Sequence, residues 1–197
     1  MFICGIDEAG RGPLAGPVCA SAVVFSSKDF DISILNDSKK MTEKARLKAF
    51  YEITKKAYYA IGWASNVEID TINILEATLL AMRRAFTILY NELSKKNVSC
   101  LEELKVIVDG NIMPKFIEDV KCETLVKADS IVPEVMAASI VAKVARDKMM
   151  CRYSWVYPEW EYEKHKGYGT KAHIEAIKKY GGSPIQRLSF KSDLYQN

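Results

Sequence analysis

Four carboxylates stand out by where they fall along the chain. Asp7 and Glu8 are adjacent at the end of the first apolar segment. Asp109 ends another such segment directly before Gly110, and Asp129 follows a third in Lys127-Ala128-Asp129-Ser130. Ligands of open α/β sheets gather outside the carboxyl ends of strands, so Asp7 and Asp109 would meet if their strands are parallel neighbours. Side-chain alternation sets Asp7 and Glu8 on opposite faces if the strand continues, whereas a bend at Ala9-Gly10 would let both approach one ion. The only histidines are His165 and His173, and the five cysteines form no C-x-x-C pair, so a zinc site of nitrogen and sulfur ligands is not supported. Hard oxygen ligands suit Mg²⁺ or Mn²⁺. Such ions, used in pairs, drive in-line phosphoryl transfer, so the carboxylates point to phosphodiester chemistry. Each group also has a plainer reading. A carboxylate pair at a strand end can be surface decoration, Asp109-Gly110 can be a simple turn, and Asp129 can cap one.

Two further segments carry possible chemistry. In Gly10-Arg11-Gly12-Pro13-Leu14-Ala15-Gly16-Pro17 the glycines let backbone approach a ligand and expose amides to it. A dinucleotide fingerprint is excluded in detail, because the third glycine comes one place late, Pro13 interrupts, and a strand pattern follows. Tyr168 stands between Gly167 and Gly169, either as an aimed stacking platform for a sugar or base or as an ordinary loop tyrosine. In the segment from Pro133, Ser139, Lys143, Arg146 and Asp147 fall at i, i+4, i+7 and i+8. They form one polar stripe on an otherwise apolar helix. That stripe must meet something polar: water, an internal ion pair, a phosphate backbone or a metal site.

The elements that position these residues follow from periodicity. Residues 2–7 and 18–25 read as strands joined by the Gly/Pro-rich loop. Thr42 begins a helix to about residue 57, and Tyr58 to Ala64 reads as a third strand. Asp70 or Thr71 caps a long helix with an apolar stripe of Ile72, Leu75, Leu79, Met82, Phe86, Leu89 and Leu93. Lys105 to Gly110 is a short strand, and another strand ends near Asp129. Pro133 opens a helix to about residue 152, and Thr170 opens one stopped by Gly181-Gly182. The order β-β-α-β-α-β-β-α-α predicts an α/β layer fold with a mixed sheet.

Composition sets the bounds. The 197 residues are 49% hydrophobic and 27% charged, which excludes a disordered chain. No apolar run approaches the ~18 residues of a membrane span, and no basic leader precedes Asp7. The scattered, odd-numbered cysteines read as reduced thiols, and the expected location is the cytoplasm. The formal charge is only +3, but it is unevenly spread. Residues 39–56 carry seven Lys/Arg against two Glu, residues 143–152 four against one, and residues 99–134 four Lys against eight Asp/Glu. Basic strips beside an acidic cluster suit a polyanion and a metal, although solvated helix faces give the same pattern.

Several segments, in order, resemble the ribonuclease HII (type 2 ribonuclease H) family. They are Gly5 to Pro17, Asp37-Ser38-Lys39-Lys40, Val108-Asp109-Gly110, Lys127 to Ser130, Ala137 to Asp147 and His165 to Thr170. The resemblance implies a ribonuclease H-like fold, with a five-stranded mixed sheet flanked by helices and a helical C-terminal extension over about 153–197. It implies a single catalytic domain over 1–197. It matches Asp7, Glu8, Asp109 and Asp129 to four catalytic, metal-binding carboxylates serving two divalent ions, Mg²⁺ or Mn²⁺. Asp147 and Ser139 would support them. By the same resemblance, the Gly10-Arg11-Gly12 backbone would sense a ribose 2′-OH. Tyr168 would pack on the following sugar, and Lys39, Lys40, Lys143 and Arg146 would hold phosphates. The expected substrates are RNA–DNA hybrids and duplex DNA with embedded ribonucleotides, cut on the 5′ side to leave 3′-hydroxyl and 5′-phosphate ends. A monomer is expected. Gln186-Arg187-Leu188-Ser189-Phe190 weakly resembles a sliding-clamp peptide, against ordinary C-terminal packing. Gln186 itself stands where the family often has His. No extra N-terminal substrate-binding domain is expected, which sets the chain apart from ribonuclease HIII. The rivals are another nuclease of this fold, such as a junction resolvase, and a non-catalytic hybrid-binding module.

Overall fold

Five strands form one mixed sheet in the order β3-β2-β1-β4-β5. They are β1 (Phe2–Ala9), β2 (Val18–Phe25), β3 (Ala57–Ala64), β4 (Leu104–Asp109) and β5 (Lys121–Leu125). The coordinates come from a computed structural model and describe residues 2–27, 29–96, 101, 103–116 and 120–190. β1 lies at the centre, antiparallel to β2 and parallel to β4. β2 is apolar almost throughout and buried at every position, as a strand covered on both faces must be.

Period-two alternation sorts β1 between the two layers. Cys4 and Ile6 face the core that Ala81, Phe86, Leu89 and Leu93 of the long helix α2 (Asn66–Lys95) complete. On the other face, Val23 and Phe25 pack with α1 (Glu43–Lys56) and α3 (Pro133–Val156) through Ile53, Ile140 and Val141. Gly5 is required there, because an added Cβ would stand 2.2 Å from the Glu134 backbone. The first turn of α3 therefore rests directly on β1. The last helices among the described residues are α4 (Tyr162–His165) and α5 (Lys171–Tyr180), the helical C-terminal extension.

Three expectations about element ends are corrected. Ser65 and Glu68 form a capping box that starts α2 at Asn66, ahead of Asp70. α2 then breaks at Asn73, whose φ of 68° is left-handed and whose Oδ1 accepts from the amides of Leu75 and Glu76 at 2.9 and 3.1 Å. Asn73 thus caps the main apolar helix, and Ile72, ahead of the break, is exposed. β5 stops at Leu125, so Asp129 sits in a separate 3-10 turn, Ala128–Ser130, instead of at a strand end. α3 runs to Val156, past the expected end, because Val144, Met150 and Ser154 remain buried along it.

Candidate active site

The parallel register pairs Ile6 with Val108, and one step further sets Asp7 beside Asp109. Both positions point to the α3 face. The turn after β5 brings Asp129 in from the side, where its amide donates to Asp109 Oδ1 at 3.4 Å. One carboxylate oxygen from each of Asp7, Asp109 and Asp129 lies within 4.8 Å of the others. Glu8 stands outside that 4.8 Å group: its carboxylate pairs with Arg11 at 3.6 Å while keeping a hydrogen-bond contact with Asp7. Asp7 is the buried member, 4% exposed, and accepts from the Glu8 amide at 2.7 Å. Ser139 adds a hydrogen bond to Asp7, and Ser38 Oγ lies 2.7 Å from Ser139 Oγ, which locks the α3 side of the cluster.

The electrostatics are those of a site short of positive charge. Burial, then the charges of Glu8 and Asp109, holds the Asp7 carboxyl well above its ordinary range. Burial raises Glu8 against the pull of Arg11, with Asp109 adding to the rise. Asp109 is raised by burial and then by Asp129. For Lys39, desolvation is outweighed by Asp129, Asp7, Asp37 and Asp109 together, so its ammonium is held above its usual value. Lys39 Nζ stands 3.7 Å from Asp129 while its side chain stays largely exposed. Three converging hard oxygens whose mutual repulsion Lys39 relieves only in part fit a divalent cation and offer nothing to a soft one.

The glycine loop leaves β1 directly after these residues, and Arg11 reaches back to Glu8. Gly10 has φ +101°, and an added Cβ would meet Arg146 Nε at 2.0 Å. Arg146 is therefore not a phosphate contact, as the sequence had suggested. It is 1% exposed and donates to the carbonyls of Pro17, Ala15 and Lys166 at 3.0–3.1 Å. The same burial lowers its pKa, a cost set against those three bonds. Gly12 differs, since the nearest atom to its added Cβ is Tyr168 Cε1 at 4.0 Å. Gly12 and half-exposed Tyr168 therefore flank one open surface. Lys143 Nζ lies 5.9 Å from the Tyr168 ring and 2.8 Å from Asp147. Asp147 thus braces Lys143 at the rim instead of the carboxylates. Lys40 pairs with Asp37 at 3.5 Å and is exposed.

Both histidines are committed to backbone. His173 Nδ1 lies 3.0 Å from the Tyr168 carbonyl, and His165 Nε2 lies 2.8 Å from that of Trp160. The rings stack at 4.5 Å, and burial lowers both pKa values, that of His173 to about 4. They hold the Tyr168 segment and are not candidates for a base. The residue sequence reasoning missed is Arg187, fully buried and bonded to four loop carbonyls. Its one signal was a charged residue in Ser183-Pro184-Ile185-Gln186-Arg187, where Gln186 also proves buried and donates to the Leu14 carbonyl at 2.9 Å.

The family description Ribonuclease HII matches residues 4–193. A Ribonuclease HII of Treponema denticola is 60% identical over 198 residues, covering 96% of this chain and 98% of that protein. One from Clostridioides difficile is 47% identical, covering 98% and 71%. The ribonuclease H2 of Pyrococcus horikoshii superposes with a TM-score of 0.71 at 26% identity, with both chains fully covered. A Bst ribonuclease HIII in complex with Mn²⁺ gives 0.74 at 18% identity over 97% of this chain and 67% of that one. The ribonuclease HII of Archaeoglobus fulgidus, solved as a complex with PCNA, gives 0.70 at 23% over 97% and 96%.

Proposed function

The chain belongs to the ribonuclease HII family, and from that premise we propose how its own residues carry out the cut. Its activity is that of a ribonuclease H, an endonuclease hydrolysing phosphodiesters in RNA–DNA substrates. We assign the finer specificity to RNA strands in hybrids and to single ribonucleotides embedded in duplex DNA. The cut falls on the 5′ side and leaves 3′-hydroxyl and 5′-phosphate ends.

Asp7, Asp109 and Asp129 would hold the divalent ions, Asp7 from within β1, Asp109 from the end of the adjacent β4 and Asp129 from the turn beside them. Glu8 would join after leaving Arg11. Two bound ions, Mg²⁺ or Mn²⁺, would supply Lewis-acid activation of water and charge stabilisation at the leaving oxygen. Ser139 fixes the Asp7 carboxylate, and Lys39 sits where a phosphate oxygen would replace its contact with Asp129. The amides of Arg11 and Gly12 face the ribose 2′-OH, Tyr168 packs on the next sugar, and Lys40 and Lys143 hold flanking phosphates. The observation that carries this reading is the convergence of one carboxylate oxygen from each of Asp7, Asp109 and Asp129 within 4.8 Å.

The deciding assay uses a labelled DNA duplex with one ribonucleotide, an all-DNA control, and Mg²⁺, Mn²⁺ or EDTA. Metal-dependent cutting only at the 5′ side of the ribonucleotide is expected. Cleavage of a long hybrid without that cut would overturn the sugar-sensing role of Gly10-Arg11-Gly12. Binding without cleavage of either would leave a hybrid-binding module. We further propose one catalytic domain over 1–197, acting as a cytoplasmic monomer. Among the described residues no helix is long and apolar enough to cross a membrane. Clamp association through Gln186–Phe190 would require Gln186 and Arg187 to leave their buried packing, while Leu188 is already exposed, and a pull-down with a sliding clamp tests it.

A further inference from the structure

The carbonyls of the glycine loop are turned inward almost without exception. Arg187 donates to those of Gly10 (2.6 Å), Arg11 (2.9 Å), Pro13 (2.8 Å) and Gly16 (2.8 Å). Gln186 and the Arg187 amide take Leu14, and Arg146 takes Ala15 and Pro17. A loop whose carbonyls are captured from beneath presents amides on its outer side. The amides of Leu14 and Gly16 are used internally, by Gly167 and Ile185, whereas those of Arg11 and Gly12 meet no protein acceptor among the described residues.

Two buried guanidiniums held mainly by carbonyls are an expensive way to stabilise a loop, since they are desolvated and repel each other. Burial and the neighbouring charge of Arg146 pull Arg187 down to about 9, so it stays charged at neutral pH. What the arrangement supplies is orientation and a positive field under the loop. A flat, five-donor fork reaches four carbonyls at once, which an ammonium cannot do.

Arg187 is in turn fixed through the segment around it by the start of α2. Asp70 accepts from the amides of Leu188 and Ser189, both at 2.9 Å, and Asn66 Nδ2 donates to the carbonyls of Pro184 and Gln186 at 3.2 and 3.1 Å. The Arg187 guanidinium lies 5.1 Å from the Phe190 ring. Asn66 and Asp70 belong to the part of α2 that precedes the break at Asn73. That kinked segment therefore grips the C-terminal segment, which in turn grips the loop.

We propose that Arg187 is a positioning residue for sugar discrimination, holding the Arg11 and Gly12 amides toward the ribose, with Asn66 and Asp70 as its remote anchor. This rests on reading Gly10-Arg11-Gly12 as the ribose sensor. The test measures affinity by fluorescence anisotropy in Mg²⁺, in an Asp129→Asn background that stops cleavage. Two probes are compared, a DNA duplex with one ribonucleotide and the same duplex in all-DNA form. Arg187→Lys, folded by circular dichroism at the assay temperature, should lose about tenfold or more of the preference for the ribonucleotide duplex, while affinity for all-DNA changes little. Asp70→Ala should lose part of that preference with every loop residue intact, and it serves if Arg187→Lys fails to fold. A purely structural role would lower the melting temperature and leave the ratio of affinities unchanged, which overturns the proposal. Absence of any preference in the parent protein would instead remove the sensor reading, and this inference with it.

Discussion

Asp109→Asn should make the metal-free protein more stable and at the same time blind to metal. Its carboxylate oxygen lies within 4.8 Å of those of Asp7 and Asp129. At that separation Coulomb's law gives about 3.5 kcal/mol of repulsion per pair at an effective dielectric of 20, and about 0.9 in water. Asp109 is partly open to solvent, and Lys39 neutralises part of the field from 3.7 Å. The lower end applies, so removing one charge should stabilise by about 1–2 kcal/mol, or ~2–8 °C for a chain of this size. Asparagine keeps an oxygen to accept from the Asp129 amide, so the gain is not cancelled by a lost hydrogen bond. The pH dependence has a definite sign. Asp7, Glu8 and Asp109 are raised in the folded state, so the folded chain takes up protons first and acid relieves the repulsion. The advantage of the variant should therefore be greatest on the alkaline side of the raised values and fade as the pH falls through them toward the ordinary carboxylate range of about 4. Differential scanning fluorimetry in EDTA, then with rising Mg²⁺, reads both effects. The parent should gain up to about 2.7 kcal/mol at a hundredfold excess over the dissociation constant, and the variant should gain little. A variant that melts lower than the parent in EDTA, or shows the same metal-induced shift, would refute the account of the cluster.

Gly12→Ala should fold with stability equal to the parent or up to about 1 kcal/mol higher, and yet lose about tenfold or more in kcat/KM, because its methyl enters open space on the substrate side. Gly10→Ala should instead destabilise by about 2 kcal/mol or more, because its methyl would overlap Arg146 at a positive φ; equal effects of the two would show that the loop is not faced as described. For acid stability, His173 has its pKa lowered from 6.5 to about 4, first by burial. The stability tied to its neutral form is complete above pH 6.5 and lost as the pH falls toward 4, up to about 3 kcal/mol before the carboxylate cluster offsets part of it. His173→Phe should flatten the slope of melting temperature against pH in that window, and an unchanged slope would place the titration elsewhere. Lys143→Ala should raise KM several-fold and lower the salt slope by about 1 with kcat nearly constant; a fall in kcat alone would move Lys143 from the phosphate rim to the reaction.

The acidic site was legible because the signals that built it are local. A carboxylate at the end of an apolar strand announces itself, and two parallel neighbours do the rest through register: Ile6 opposite Val108 leaves Asp7 beside Asp109. For Asp129 the sequence left open a position just after a strand or a turn; the turn, Ala128–Ser130, is what forms, and it depends on Lys127 taking a left-handed conformation that nothing in its own side chain prescribes. Arg146 and Asp147 failed together, and for one reason. Helical spacing tells which residues share a face, but only the packing of the Gly10–Pro17 loop against α3 decides that Arg146 points into carbonyls while Lys143 and Asp147 reach the rim. Arg187 lies 171 to 177 residues from the carbonyls it holds, a separation over which no periodicity carries information. A buried arginine bonded to backbone carbonyls also needs no complementary side chain that a reader could look for. The structure therefore adds least where chemistry is written in residue type, and most where one side chain's job is to set another segment's backbone.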